Sequence, residues 1–133
     1  MTWGLDRQSL WNVIALTLIS ALTRFYKIGR ANYVIFDEAH MAKFGAYYIN
    51  ATFYHDEHPQ LSKMLIGLSE VLAGFDGSFT FPSGKQYPEG VNYTFMRVFN
   101  ASFGVTLAPL AYFTLRNIGC SPNAMLLGGL LVC

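Results

Sequence analysis

Two adjacent carboxylates form the part of the sequence best suited to acid–base chemistry. Asp37 and Glu38 follow the apolar residues 33–36. Three cations lie in the same charged stretch of the chain: Arg24, Lys63 and Arg97. A carboxylate can take the proton of a hydroxyl group, and a cation can neutralise a departing phosphate. These residue types therefore suit the transfer of a group from a phosphate ester to a hydroxyl group.

The string Asp37-Glu38-Ala39-His40 also matches the magnesium-binding box of the DEAH helicases. A nucleotide site requires in addition a G-x-x-x-x-G-K-[ST] loop that cradles the phosphates, and the sequence has none. The net charge is +1, and no basic patch with interleaved aromatic residues occurs. We therefore exclude a helicase and disfavour nucleic acid as a partner.

A second polar cluster, the His-Asp-Glu-His sequence of residues 55–58, contains groups that bind metals. His40, His55, Asp56 and His58 would together suit zinc. The spacing of the two histidines in this cluster departs from the H-E-x-x-H pattern, and such clusters are more often hydrogen-bonded loops. We expect no metal site, and a requirement for a divalent metal stays open.

The charge distribution indicates a membrane protein. The chain is 53% apolar and 13% charged, against about a quarter charged in ordinary soluble domains. Residues 8–23, 98–115 and 117–133 contain no Asp, Glu, Lys or Arg, in runs of 16, 18 and 17 residues. A spanning helix needs about 20 mainly apolar residues, with a minimum near 17. The third run offers only about twelve residues after Pro122, so we expect the chain to be the N-terminal part of a longer protein.

The first apolar run allows a cleaved signal peptide as an alternative to a spanning helix. Residues 20–22, Ser-Ala-Leu, are a poor small-x-small cleavage site, and charged and aromatic residues follow at once, which favours an uncleaved span.

The charges on either side of the first run predict which side of the membrane the following segment occupies. Arg24, Lys27 and Arg30 follow the run while only Arg7 precedes it, so the positive-inside rule places residues 24–97 in the cytosol.

Two short helices are predicted between the spans. Residues 37–50 form the first, for which Asp37 could serve simply as an N-cap, although capping leaves the second acid unexplained. Pro59 opens the second, which runs to about Gly74. One face of this helix carries a leucine stripe, formed by Leu61, Leu65, Leu68 and Leu72. A second face carries Lys63, Gly67, Glu70 and Gly74. This pattern suits a helix in the membrane interface, and a helix packed in a soluble loop fits nearly as well.

Three N-x-[ST] sequons occur, at Asn50, Asn92 and Asn100. Each is a weak signal, because such triplets arise by chance. Asn50 and Asn92 lie in the segment between the spans and mildly favour a lumenal position for it. Asn100 lies too close to the second span to be a good acceptor.

Six motifs follow one another in the sequence: DEAHMAKFGAYYI, FYHDEHPQLSKMLIGL, LAGFDGSF, YP, MRVFNASFG and PLAYFT. In this fixed order they closely resemble the protein O-mannosyltransferases, above all their second fungal subfamily. The resemblance covers the chain from about Thr23 to its end. It implies a multi-pass enzyme of the endoplasmic reticulum that transfers mannose, with inversion, from dolichyl phosphate mannose to Ser or Thr hydroxyls of secretory proteins. It also implies a dimer, often of two different subfamilies.

The resemblance assigns roles to individual residues. Asp37 matches the proposed general base, and Glu38 matches the adjacent acid that positions or assists it. Arg97 and Arg24 match arginines that the family needs, and the resemblance implies a position on the donor phosphate for them. Lys63 is added on physical grounds, as a cation on the open face of the second loop helix. Dolichyl phosphate mannose is then the donor substrate, and no cofactor is certain.

The chain also departs from the family pattern. Gln60 and Ser62 interrupt a motif that usually reads HPP-L-G-K, and Glu70 replaces a usual glycine on the face that carries Lys63. A carboxylate there could compete for Lys63 or repel a phosphate. The departures leave two rivals: a non-catalytic dimer partner of an active enzyme, and another membrane transferase that uses a polyprenyl phosphate sugar.

We therefore predict an all-α, polytopic transmembrane protein whose lumenal first loop carries short interfacial helices. The resemblance places the N-terminus in the cytosol and overrules the positive-inside argument. We expect the 133 residues alone to be inactive, because further helices and lumenal repeats of the family lie beyond them. The predicted segments are a cytosolic N-terminus (1–7), a first span (8–28), a lumenal catalytic loop (29–95), a second span (96–115), a cytosolic turn (116–121) and the start of a third span (122–133).

Overall fold

The computed structural model of the chain describes residues 6–57 and 59–133. Within these residues the secondary structure consists of helices and an isolated bridge between Tyr33 and Gln86, and no β-strand is formed. This confirms the expected all-α fold. The helices are α1 (Arg7–Phe25), α2 (Phe36–Ile49), α3 (Gln60–Leu72), α4 (Tyr93–Asn117) and α5 (Pro122–Leu131). The two helices predicted in the loop correspond to α2 and α3.

The chain divides into two compact units, of which the first comprises, in its described part, residues 6–26 and 101–133. Its core is formed by Leu16, Ala108 and Tyr112, all essentially inaccessible to solvent. The buried Tyr112 hydroxyl donates a hydrogen bond of 3.2 Å to the Ser9 hydroxyl oxygen. Gly129 lets α5 approach α1 closely, because a Cβ atom there would lie 2.5 Å from Leu16 Cδ1.

Among residues 6–57 and 59–133, α4 is the helix whose length and composition would allow it to cross a membrane. It has 25 residues and continues through Pro109, whose missing N–H is tolerated in spanning helices. The apolar helix α5 is shorter, with 10 residues. The predicted spans at 8–28 and 122–133 stay predictions.

The second unit, residues 27–100, contains the loop predicted to be catalytic. Its hydrophobic core joins side chains from α2, the start of α4 and the segment between α3 and α4: Val34, Ala42, Ala46, Phe75, Phe81 and Met96. Helices α2 and α3 pack against each other at two glycines. A Cβ atom on Gly67 would lie 3.3 Å from the Gly45 carbonyl oxygen, so the two backbones are nearly in contact.

One face of α3 points inward and carries Lys63, Gly67 and Glu70, all of which are buried. On the other side Leu61 (69%), Leu68 (47%) and Leu72 (57%) are exposed, and Leu65 is half-buried. The close backbone approach at the glycines selects the buried face, because leucines would hold the two helices apart. The outward leucine stripe is what a helix in the membrane interface presents.

Candidate functional site

The acidic pair lies in the first turn of α2, where the helix dipole favours negative charge. The N-cap is Ile35, and the Glu38 Oε2 atom accepts a hydrogen bond of 2.9 Å from the Ile35 N–H. Asp37 is therefore not the N-cap, because it is the second residue of α2, and Glu38 at position N3 accepts a hydrogen bond from the N-cap residue's own N–H. Asp37 is exposed, and no side chain of residues 6–57 and 59–133 donates a hydrogen bond to it.

Glu38 forms a two-pronged ion pair with Arg97 of α4. Arg97 Nε lies 2.5 Å from Glu38 Oε1, and Nη2 lies 2.9 Å from Oε2. Such parallel bonds between guanidinium and carboxylate fix the orientation of both groups. The pair is largely shielded, with the Arg97 side chain 10% exposed and the Glu38 side chain 24% exposed.

The remaining donors of Arg97 bind main-chain carbonyl groups of the segment that precedes α2. Nη1 donates to the carbonyl oxygens of Ile28 (3.2 Å) and Ala31 (2.5 Å), and Nη2 also donates to that of Tyr33 (3.1 Å). A guanidinium has five N–H donors, so with the two bonds to Glu38 every donor is used. Arg97 therefore ties the backbone of residues 28–33 to the first turn of α2.

Tyr87 and Tyr93 enclose this ion pair. The Tyr87 hydroxyl donates a hydrogen bond of 3.1 Å to Glu38 Oε2. The two tyrosine rings stack with centroids 4.8 Å apart and planes 16° apart. Arg97 Cζ lies 5.0 Å from the Tyr93 centroid and 5.7 Å from that of Tyr87, within the range of cation–π attraction.

The surroundings keep Glu38 ionised. Burial alone raises the pKa of this carboxyl, but hydrogen bonds from Arg97, the Ile35 N–H and Tyr87 outweigh burial and hold the pKa below its ordinary value. Burial and the adjacent carboxylate raise the pKa of Tyr87, which therefore stays a hydrogen-bond donor. Glu38 is thus a fixed anion rather than a proton acceptor.

A pocket of about 750 Å³ opens beside the ion pair. Asp37, Glu38 and Arg97 contribute to its wall, and the exposed Lys27 and Arg30 line it as well. The rest of the lining is mainly apolar and includes Ile28, Ile35, Met41, Ile66 and Met96. The pocket therefore combines an accessible carboxylate, two accessible cations and an apolar wall, which suits an amphiphilic ligand with an anionic group.

Comparison with known families places the chain in one of them. The model of the family described as dolichyl-phosphate-mannose-protein mannosyltransferase matches residues 14–133. The chain belongs to this family. Dolichyl-phosphate-mannose–protein mannosyltransferase 3 of Saccharomyces cerevisiae is 53% identical over 119 residues, which are 90% of this chain and 16% of the relative. Mannosyltransferase 2 of Candida albicans is 51% identical over 114 residues, covering 86% of this chain and 15% of the relative.

A solved structure shows the same fold. The protein O-mannosyltransferase Pmt1–Pmt2 complex of Saccharomyces cerevisiae, bound to the sugar donor, matches with a TM-score of 0.86 and 33% identity. The match covers 95% of this chain and 17% of that chain. The present chain therefore spans about a sixth of the length of the mannosyltransferases that it resembles.

Arg24, for which the sequence predicts a role on the donor phosphate, lies in the first unit. Its Nη1 atom donates to the Ser20 hydroxyl oxygen (2.7 Å) and the Cys133 carbonyl (2.7 Å), and Nη2 donates to the Val132 carbonyl (2.6 Å). These bonds join the ends of α1 and α5 within that unit. A role on the donor phosphate stays a prediction for Arg24, as it does for Arg97.

Lys63 does not lie on an open face. Its side chain is fully buried, forms an ion pair with Asp56, and lies 4.7 Å from the Phe44 ring centroid and 5.4 Å from that of Tyr54. The expected exposure is wrong because α3 turns its small and polar face toward α2 and toward the segment that carries Asp56. Binding of the donor phosphate by Lys63 stays a prediction, and Lys63 is not among the residues that line the pocket beside Glu38.

Glu70 is completely buried against Gly45, where a Cβ atom would lie 2.5 Å from Glu70 Oε1. Neither carboxylate oxygen has a hydrogen-bond partner in the described part of the chain. Burial raises the pKa of Glu70 to about 8. The anticipated competition for Lys63 does not occur, because Lys63 pairs with Asp56.

The other departures from the family pattern are accommodated locally. Gln60 Oε1 accepts hydrogen bonds from the hydroxyls of Tyr48 (2.6 Å) and Tyr54 (3.1 Å). The Ser62 hydroxyl donates a hydrogen bond of 3.2 Å to the Pro59 carbonyl in the first turn of α3. Both residues are exposed, and neither changes the ion pair at Glu38.

The two asparagines predicted as glycosylation acceptors, Asn50 and Asn92, are exposed. Asn50 Nδ2 donates to the Gly77 carbonyl (2.9 Å), and Asn92 Oδ1 accepts from the Phe95 N–H (3.0 Å) at the start of α4. Their glycosylation stays a prediction. Residues 6–57 and 59–133 contain no group of three or more His, Cys, Asp or Glu side chains arranged to hold a metal, and His58 lies outside the described residues.

Sequence reasoning missed three residues of this site. Lys27 and Arg30 entered the sequence argument as cations after the first span, without being assigned to the site, and Tyr87 entered only as part of the YP motif. Their signals were faint: two cations between a span and an acidic pair, and an aromatic residue before a proline. Only the folding of residues 27–33 and 85–88 around Arg97 makes them neighbours of Glu38.

Proposed function

We propose that the full-length protein transfers mannose from dolichyl phosphate mannose to Ser or Thr hydroxyls of secretory-pathway proteins, and that this chain supplies its catalytic loop. The observation that carries the proposal is the contrast between the two neighbouring acids. Asp37 is exposed beside the pocket, while Glu38 is locked by Arg97. An accessible carboxylate next to accessible cations can activate a hydroxyl and stabilise a leaving phosphate.

In the proposed reaction, Asp37 takes the proton of the acceptor hydroxyl as its oxygen attacks mannose C1. The bond between C1 and the phosphate oxygen breaks, and its electron pair leaves with dolichyl phosphate, so the anomeric centre is inverted. Lys27 and Arg30 offset the negative charge that grows on the phosphate. The apolar lining formed by residues such as Ile35 and Met96 receives the first part of the lipid.

The proposed setting is the membrane of the endoplasmic reticulum. We place residues 1–7 and 116–121 in the cytosol, residues 29–95 in the lumen, and spans at 8–28, 96–115 and from 122. Helix α4 and the outward leucine stripe of α3 support this topology. Modification of Asn50 or Asn92 in microsomes would place the loop in the lumen, whereas an engineered sequon in an extended 82–90 loop that stays bare would contradict it.

We also propose that the full-length protein works as a dimer with another O-mannosyltransferase. The solved relative is a complex of two such chains. The dimer makes the rival hypothesis testable, because a non-catalytic subunit would leave activity dependent on the acids of its partner alone.

The decisive experiment replaces Asp37 in the full-length protein, purified with its dimer partner and assayed with dolichyl phosphate mannose and a Ser/Thr peptide. Loss of a general base lowers rates by about 10² to 10⁴, and we expect Asp37→Asn to lower kcat to that extent. Glu89→Gln, which changes an exposed acid outside the pocket, is the matched control.

Retained activity in Asp37→Asn, together with loss of activity when only the partner's acidic pair is changed, would establish the non-catalytic role instead. Transfer from other polyprenyl phosphate sugars in preference to dolichyl phosphate mannose would establish the second rival.

A further inference from the structure

We infer that Tyr87 is a positioning residue for the proposed reaction: its hydroxyl orients the Glu38 carboxylate, and its ring, stacked on Tyr93, restrains the Arg97 guanidinium. This inference rests on the proposed function and extends it to a residue outside the acidic pair and its arginine. It is carried by the hydrogen bond of 3.1 Å from the Tyr87 hydroxyl to Glu38 Oε2 and by the ring stack beside Arg97.

The Glu38 carboxylate receives four hydrogen bonds, and Tyr87 supplies the only one from a neutral side chain among the described residues. Oε1 accepts from Arg97 Nε, and Oε2 accepts from Arg97 Nη2, the Ile35 N–H and the Tyr87 hydroxyl. Loss of the Tyr87 hydroxyl leaves three bonds in place. The ion pair would persist, but the carboxylate would lose one of the bonds that fix its rotation.

The main chain holds Tyr87 so that its hydroxyl points at Glu38. The Tyr87 N–H donates to the Asn32 carbonyl (2.9 Å), and the Val34 N–H donates to the Lys85 carbonyl (2.8 Å). The ring also contacts Phe79 and Phe81, with centroids 5.8 and 6.1 Å away. A side chain anchored at its backbone and in contact with three aromatic rings has little freedom, so the hydroxyl is preorganised.

The consequence for the reaction follows from the position of Asp37. Asp37 and Glu38 are consecutive residues of the first turn of α2, so any rotation of that turn moves the proposed base. A misplacement of about 1 Å can cost about 10²-fold in rate. A weaker restraint on Glu38 should therefore lower kcat, while leaving the pocket that receives the donor largely unchanged.

The test is Tyr87→Phe in the full-length protein with its dimer partner, which keeps the ring and removes the hydroxyl. We expect kcat to fall about tenfold with the donor KM within about twofold of the wild-type value. Tyr47→Phe, which removes a hydroxyl from a half-buried ring of α2 away from Glu38, is the matched control and should change neither constant.

A double-mutant comparison separates positioning from general stability. If Tyr87 acts through Glu38, then Tyr87→Phe should lower the residual rate by less than about twofold in a Glu38→Ala background, which has no side-chain acceptor for the Tyr87 hydroxyl, because the effects of coupled residues do not add. The inference is overturned by an unchanged kcat, by a raised donor KM at unchanged kcat, or by a full tenfold loss in the Glu38→Ala background. Absence of mannosyl transfer in the wild-type dimer would overturn the proposed function as well, whereas an active wild type with additive variants overturns only this inference.

Discussion

Arg97 holds Glu38 from 59 residues away, with Nε 2.5 Å from Oε1 and Nη2 2.9 Å from Oε2. Because the other Arg97 donors bind carbonyl groups of residues 28–33, one side chain joins three segments of the second unit. The neighbouring Asp37 takes no part in this network. Two consecutive acids therefore have different physical roles, and this difference leads to the first prediction.

Glu38→Gln should reduce both activity and stability, whereas Asp37→Asn should reduce activity alone. Glu38→Gln removes the negative charge that pairs with the shielded Arg97. We expect the free energy of unfolding to fall by about 3 kcal/mol, the lower end of the range for broken buried pairs. Thermal unfolding of the full-length variants, measured beside their transfer rates, checks this. Equal unfolding temperatures for the two variants would contradict the division of roles.

Replacing the accessible cations should weaken donor binding. Lys27→Gln and Arg30→Gln each remove a positive charge beside the pocket, and we expect the KM for dolichyl phosphate mannose to rise about tenfold with a smaller change in kcat. Lys85→Gln is the control, because it removes an exposed charge that does not line the pocket. A similar rise in the control would indicate a general electrostatic effect instead of contact with the phosphate.

Lys63 should be required for stability. Lys63→Met leaves Asp56 without the buried ammonium group with which it pairs, and a broken buried pair costs about 3 to 5 kcal/mol. The double variant Lys63→Met/Asp56→Asn should recover part of the loss. Kinetic measurements below the unfolding temperature test separately whether Lys63 binds the donor phosphate. If it does, the folded variant must show a raised donor KM. An unchanged unfolding temperature would contradict the structural role.

Glu70 should make the loop less stable as pH rises. Burial raises its pKa in the folded protein to about 8, above the ordinary value of 4.5. The folded state therefore binds more protons than the unfolded state between these two values, and the free energy of unfolding falls as pH increases from about 4.5 to about 8. Each pKa unit corresponds to about 1.4 kcal/mol.

The effect is measured by comparing the unfolding temperatures of the full-length wild type and of Glu70→Gln between about pH 5 and about pH 8.5. This range covers most of the interval between the two pKa values of Glu70, 4.5 and about 8. The variant should lose most of the decline toward alkaline pH. Glu57→Gln, which alters an exposed acid of the same segment, should retain it. Parallel pH curves for wild type and Glu70→Gln would contradict a neutral, buried Glu70.

The sequence by itself determined the helical fold, the apolar α4, the position of the acidic pair at the start of α2 and the family. These features depend on composition, on local capping and dipole effects, and on motifs of consecutive residues, all of which are visible along the chain. Asp37 and Glu38 could be picked out together for the same reason, because they are neighbours in the sequence.

Only the tertiary structure decided what distinguishes those neighbours. The burial of Lys63 and Glu70 depends on which face of α3 meets α2, and Gly45 and Gly67 settle that through a close backbone approach. Glu38 is bound by Tyr87 and Arg97, which follow it by 49 and 59 residues. No local sequence pattern predicts contacts over such separations. Two neighbouring carboxylates thus become a locked anion and an exposed group because only one of them is bound by Arg97 and Tyr87.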